Sequence, residues 1–122
     1  MRSEAMREHP EHEVITERIH QQVEVWLEGE LIAKTDNAIK VKETGYDDVI
    51  YIPKNDLTNI DLLKSGDYDC PFKGHAELYT VKHGARDLEN AAWSYEDPFD
   101  QVQELKGRVA FYPEKIQEIR IH

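Results

Sequence analysis

The sequence predicts a mainly β domain, and three observations carry that prediction. Apolar residues recur with period two in several short runs, the spacing of a strand with one buried face. Glycine and proline interrupt these runs at short intervals, as turns between antiparallel strands require. The 122 residues suffice for one domain and are too few for two ordinary ones. The expected fold is a single compact domain of short antiparallel strands, a sandwich or barrel, with one or two short helices.

Residues 1–12 are charged, contain Pro10, and read as a mobile N-terminal arm ahead of a β domain over residues 13–122. Residues 13–20 are compatible with helix or strand. Val23, Val25 and Leu27 then alternate with Glu24, Trp26 and Glu28, and Glu28-Gly29-Glu30 turns the chain into Leu31-Ile32-Ala33-Lys34, a hairpin. In the strand over residues 38–43, Ile39 and Val41 share a face, and strict alternation sets Glu43 on it. An inward carboxylate needs a partner, a proton or water; if the strand instead ends there, Glu43 is solvated.

Val49-Ile50-Tyr51-Ile52 is apolar throughout, as in a strand covered on both faces, and Pro53 stops it. Asn55 or Asp56 caps a short helix through Leu57, Ile60, Leu62 and Leu63, closed by Ser65-Gly66. Residues 74–82 form a strand that turns at His83-Gly84, and residues 91–95 form another. Residues 98–105 make a helical turn. Residues 108–112 are a strand ended by Pro113, and Ile116, Ile119 and Ile121 mark a closing element.

Fifteen Lys and Arg face 25 Asp and Glu, a formal net charge of -10. That field repels phosphate backbones and anionic lipid, so neither nucleic acid nor membrane is an expected partner. A single cysteine excludes an intrachain disulfide and a Cys-rich zinc site. The N-terminus has no apolar h-region, and no run is long enough to span a bilayer, so a soluble cytoplasmic protein is expected. There is no Walker loop and no G-x-G-x-x-G. No cofactor or metal is expected; the oligomeric state is left open.

Two stretches hold the chemistry. Cys70-Pro71-Phe72-Lys73-Gly74 sets the only thiol three residues before a lysine in a restrained turn. Cys70 is either a nucleophile activated by Lys73 or a small core hydrophobe. Lys73 meets an anionic ligand, pairs with an internal carboxylate such as Glu43, or snorkels to the surface. In Trp93-Ser94-Tyr95-Glu96-Asp97-Pro98, Trp93 and Tyr95 share a strand face and either wall a cavity or fill the core. Tyr51 faces the same choice. His9-Pro10-Glu11-His12 looks like a metal clip, but Pro10 breaks the ligand spacing and the segment falls in the arm. Asp67-Tyr68-Asp69 looks like a metal-binding acidic pair and is more simply a solvated turn.

These stretches, with Gly29-Glu30-Leu31-Ile32-Ala33, Tyr51-Ile52-Pro53, Asp56-Leu57 and Val109-Ala110-Phe111-Tyr112, occur in an order that resembles the small bacterial and fungal proteins of domain of unknown function 427, sometimes labelled nucleotidyltransferase-like. The resemblance covers roughly residues 13 to 121. It implies a β-tent fold, as in methionine sulfoxide reductase B and the ligand-binding domain of cereblon. It also implies a pocket at Glu43, Tyr51, Cys70, Lys73, Trp93 and Tyr95. Relatives with that fold often hold zinc on paired cysteines, which this chain lacks. Asp69 replaces the small hydroxyl residue common before the family cysteine, and its charge opposes a thiolate.

Three classes of function follow. The first is a domain binding an unknown small molecule in an aromatic-walled pocket anchored by Lys73 and Glu43. The second is an enzyme of group transfer or thiol chemistry using Cys70 or the Glu43/Lys73 pair. The third is a structural or interaction protein whose aromatics are only core. Convergence of Glu43, Tyr51, Lys73, Trp93 and Tyr95 separates the first two from the third.

Overall fold

Alternation builds two antiparallel sheets. A computed structural model describes residues 4–116 and 118–122, the side chain of Met6 excepted. Among these residues, strands β1 (Val14–Ile19), β4 (Ala38–Glu43), β5 (Val49–Pro53), β6 (Asp61–Cys70), β7 (Gly74–His83), β8 (Arg86–Pro98) and β9 (Arg108–Phe111) form a seven-stranded sheet ordered β1-β4-β5-β9-β8-β7-β6. Strands β2 (Val23–Leu27), β3 (Glu30–Thr35) and β10 (Glu118–Ile121) form a three-stranded sheet ordered β10-β2-β3. The ambiguous segment after residue 13 is thus the strand β1, paired with β4 from Val14↔Glu43 to Ile19↔Ala38. The β2–β3 hairpin turns on Glu28 and Gly29, both at positive φ (52° and 80°), as a two-residue turn matched to strand twist demands.

Each central strand of the large sheet divides its side chains between two cores. Ile52, Val109, Phe111 and Ala92 face the small sheet, where Val23, Val25, Leu27 and Ile32 complete an aliphatic core. Tyr51, Ala110, Trp93 and Tyr95 face the other way, together with Ile39 and Val41. A 3-10 segment, Asp100–Leu105, covers part of this second face through Val102 and Leu105. Coverage on both sides is why the run through β5 carries no polar residue.

One expected element is wrong. No helix runs through Leu57, Ile60, Leu62 and Leu63. A 3-10 turn over Lys54–Asp56 gives way to extended chain and then β6. Leu57 forms a β-bridge with Ala33, the Thr58 N–H donates to the Ile32 carbonyl, and Asn59 takes positive φ with its amide donating to the Leu31 carbonyl. The edge of β3 supplies the backbone bonds a helix would have made, while Leu57, Ile60 and Leu62 still reach the core. Ser65-Gly66, read as a helix stop, is a bulge where the β6–β7 register shifts.

In the expected arm, residues Glu4–Glu8 form a short helix, α1, and the His12 ring stacks on Phe72; residues 1–3 lie outside the described residues.

Candidate aromatic-walled pocket

Register puts the site residues on one face. Ile39 pairs with Tyr51, Trp93 with Ala110 and Leu78, Tyr95 with Ala76, and Tyr68 with Ala76. Paired residues point the same way, so the aromatics rise from one side of the sheet. Ala76 and Ala110 stand between them, fully buried. Beside these rings lies a cavity of about 530 Å³.

The rings form a connected wall. Tyr68 meets Tyr95 edge-on at 6.5 Å, Tyr95 meets Tyr51 at 6.4 Å, Tyr51 meets Trp93 edge-on at 6.2 Å, and Trp93 meets Tyr112 at 4.4 Å. The Trp93 indole N–H donates to the Tyr51 hydroxyl at 3.1 Å, and the Tyr68 and Tyr95 hydroxyls lie 3.4 Å apart. Burial pushes the Tyr51 phenol far above its ordinary range, and the Trp93 bond only partly opposes this. Burial, then the bond to Tyr68, does the same to Tyr95. Both hydroxyls therefore stay protonated and neutral.

The polar end of the cavity is the Glu43–Lys73 pair. Alternation carries Glu43 inward, one of the two positions the sequence left open, and the Lys73 ammonium donates to its Oε1. Both side chains are about 10% exposed. The other oxygen, Oε2, lies 2.9 Å from His12 Nε2, and the His12 ring stacks on Phe72 at 3.9 Å. Glu43 is thus held from two sides, and Lys73 Nζ also sits 5.8 Å from the Tyr95 ring centre.

Local chain geometry places Lys73. Residues 71–73 make the turn between β6 and β7. Gly74 follows at φ +114°, where a Cβ would come within 2.6 Å of the Asp97 carbonyl oxygen. Only glycine lets the hairpin end lie this close to β8. The Phe99 N–H then donates to the Lys73 carbonyl at 2.9 Å, locking the turn.

Glu43, Tyr51, Cys70, Lys73, Trp93 and Tyr95 all line this one cavity. Cys70 is half-buried, and among the described residues no base hydrogen-bonds its thiol. Asp69 is turned away onto His75, at 2.7 Å. Sequence reasoning missed Tyr68, Tyr112 and the rim residues Tyr46, Asp47, Asp48 and Glu114. Tyr68 was legible in principle, since it lies two residues before Cys70 on one strand, but the supposed helix before it hid the period. Sequence reasoning also missed His12, which meets Glu43 and Phe72. Among the described residues, no group of His, Cys, Asp or Glu is placed to hold a metal ion, and no helix is long and apolar enough to cross a membrane.

No curated protein matches the chain. Residues 15–122 match the family model described as Domain of unknown function (DUF427), which covers every strand but the first residue of β1. With nearly its whole length matched, the chain belongs to the DUF427 family.

Proposed function

We propose that this protein binds a small molecule in the aromatic-walled cavity, with the Glu43–Lys73 pair as its polar end. One observation carries this reading: residues from four strands and a hairpin turn, separated by up to 54 positions from Val41 to Tyr95, line a single open cavity. A cavity of about 530 Å³ has the size of a metabolite site, and apolar walls with few polar groups are the usual composition of one. Core aromatics serving stability alone would close over such a volume, because interiors pack to crystal density.

The enzyme reading lacks comparable support. Lys73 is committed to Glu43, and among the described residues no base addresses Cys70. The nucleotidyltransferase-like label finds no phosphate cradle among the cavity residues: its single cation is already paired, and no glycine lines it.

A thermal-shift screen of metabolites tests the proposal, with each stabilising compound then assayed for protection of Cys70 from alkylation. Binding in the cavity slows the reaction, since Cys70 is part of its wall. Compounds that raise Tm but leave the Cys70 rate unchanged bind elsewhere and contradict the reading.

A further inference from the structure

Charge around the cavity is lopsided. Among the described residues, Lys73 is the only cationic residue lining it, against the four carboxylates of Glu43, Asp47, Asp48 and Glu114. Lys73 is neutralised by Glu43. Asp47, Asp48 and Glu114, all exposed at the rim, make no salt bridge among the described residues, so their charge acts on whatever enters. They do not gather into a metal site. Beyond them the whole chain carries a formal charge of -10.

Inside this rim stand five aromatic rings at varied tilts, from 45° to 87° between neighbours; Tyr51 and Tyr95 are only 1% and 2% exposed, so the open ring surface is that of Tyr68, Tyr112 and, at 8%, Trp93. Ring faces carry the negative side of the aromatic quadrupole and attract cations, most of all those with a weak hold on water. Donors within the cavity are largely taken: the indole of Trp93 on Tyr51, the ammonium of Lys73 on Glu43. An anion would have to pull Lys73 away and leave Glu43 buried beside only His12, a costly exchange.

From the paired lysine, the unpaired acidic rim and the wall of rings, we infer that the ligand is a small organic cation, an alkylated ammonium. The inference rests on the pocket reading above and gives that pocket its ligand class. A primary ammonium is the poorer match. Its three donors need acceptors that an aromatic wall does not offer, whereas an alkylated one presents diffuse charge and apolar surface together.

Three probes of one shape test the inference on the full chain: phenyltrimethylammonium, tert-butylbenzene and benzenesulfonate. Each is a phenyl ring bearing a tetrahedral group, positive, neutral or negative. Affinities are read by tryptophan fluorescence at low salt. The expected order puts the cation tighter than the neutral isostere by about tenfold, with the anion weakest. The rim variant Asp47→Asn/Asp48→Asn/Glu114→Gln, which alters only exposed side chains, is expected to weaken the cation by about tenfold and leave the neutral probe unchanged. Equal affinity for cation and isostere, or tightest binding of the sulfonate, overturns the cation inference while the pocket stands. An unaltered cation affinity in the rim variant also overturns it. Failure of all three probes to bind brings down the pocket reading itself, and the inference with it.

Discussion

Each face of the large sheet holds a lysine–glutamate pair, and the two pairs differ in what surrounds them. On the cavity face, Glu43 and Lys73 are both about 10% exposed, at the end of an open, ring-walled space. On the opposite face, Lys54 donates to Glu96, with exposures of 30% and 34%. That second pair sits in a filled network. Lys54 also donates to the Tyr79 hydroxyl at 3.0 Å, Tyr79 donates to Glu77 at 2.8 Å, and Ser94 donates to Glu96 at 2.7 Å. The alternation that sends Trp93 and Tyr95 to the cavity sends Ser94 and Glu96 to this other side. The chemistry is the same, but one pair is dry beside a void and the other is wet within a hydrogen-bonded patch. A charge pair marks a candidate site only where the neighbouring residues leave room for a ligand.

The largest expected effect comes from breaking the drier pair. Lys73→Met leaves Glu43 buried with His12 as its only polar partner, and should cost about 3–5 kcal/mol of unfolding free energy, measured by urea denaturation. Adding Glu43→Gln should recover part of the loss, because the orphaned charge is gone. A Lys73→Met cost no larger than that of a surface pair would erase the difference between the two faces.

Gly74→Ala should come next. Its Cβ meets the Asp97 carbonyl oxygen at 2.6 Å on a backbone that side chains rarely adopt. Strain and displacement together should cost about 2–3 kcal/mol in the same assay. They should also loosen the turn that holds Lys73, so that ligand affinity falls along with stability. Unchanged affinity would show that the turn does not place the lysine.

On the filled face, Lys54→Met should cost only about 1 kcal/mol, since a pair about one-third exposed is largely screened. Its clearest signature is in pH. Burial raises the Glu96 carboxyl, but the bonds from Lys54 and Ser94 outweigh it and hold the carboxyl below its ordinary value. A depressed folded value contributes stability that is present above the unfolded value near ~4.3 and lost as pH falls through the folded one. Lys54→Met should therefore flatten the fall in Tm below about pH 4. A mutant curve parallel to wild type would show that the pair is not linked to folding.

The cavity was more legible in the sequence than the filled face. Period two alone places Ile39, Val41 and Glu43 on one side of β4, and Trp93 with Tyr95 on one side of β8. The Cys70–Gly74 stretch reads as a constrained turn because proline and glycine act locally. What was hidden depends on partners distant in the chain. Leu57, Ile60 and Leu62 fit a helical reading, yet Leu57 is bridged to the β3 edge and Leu62 is paired with β7. Lys54 and Glu96 lie 42 residues apart, and nothing near either one announces the other. His12 lies in a polar, proline-containing stretch, and only the fold shows Glu43 and Phe72 beside it.

The two tryptophans offer the most direct test of the pocket. Trp93 is in the cavity wall, with its N–H on Tyr51. Trp26 belongs to the small sheet, where its N–H donates to Glu24 and Arg120 stacks at 4.8 Å. In a ¹H–¹⁵N spectrum the two indole N–H groups give two side-chain signals, one at the site and one as an internal control. Titration with phenyltrimethylammonium should move the Trp93 signal saturably and leave that of Trp26 in place. Equal movement of both signals, or a still Trp93 signal at saturating probe, would contradict a ligand site in this cavity.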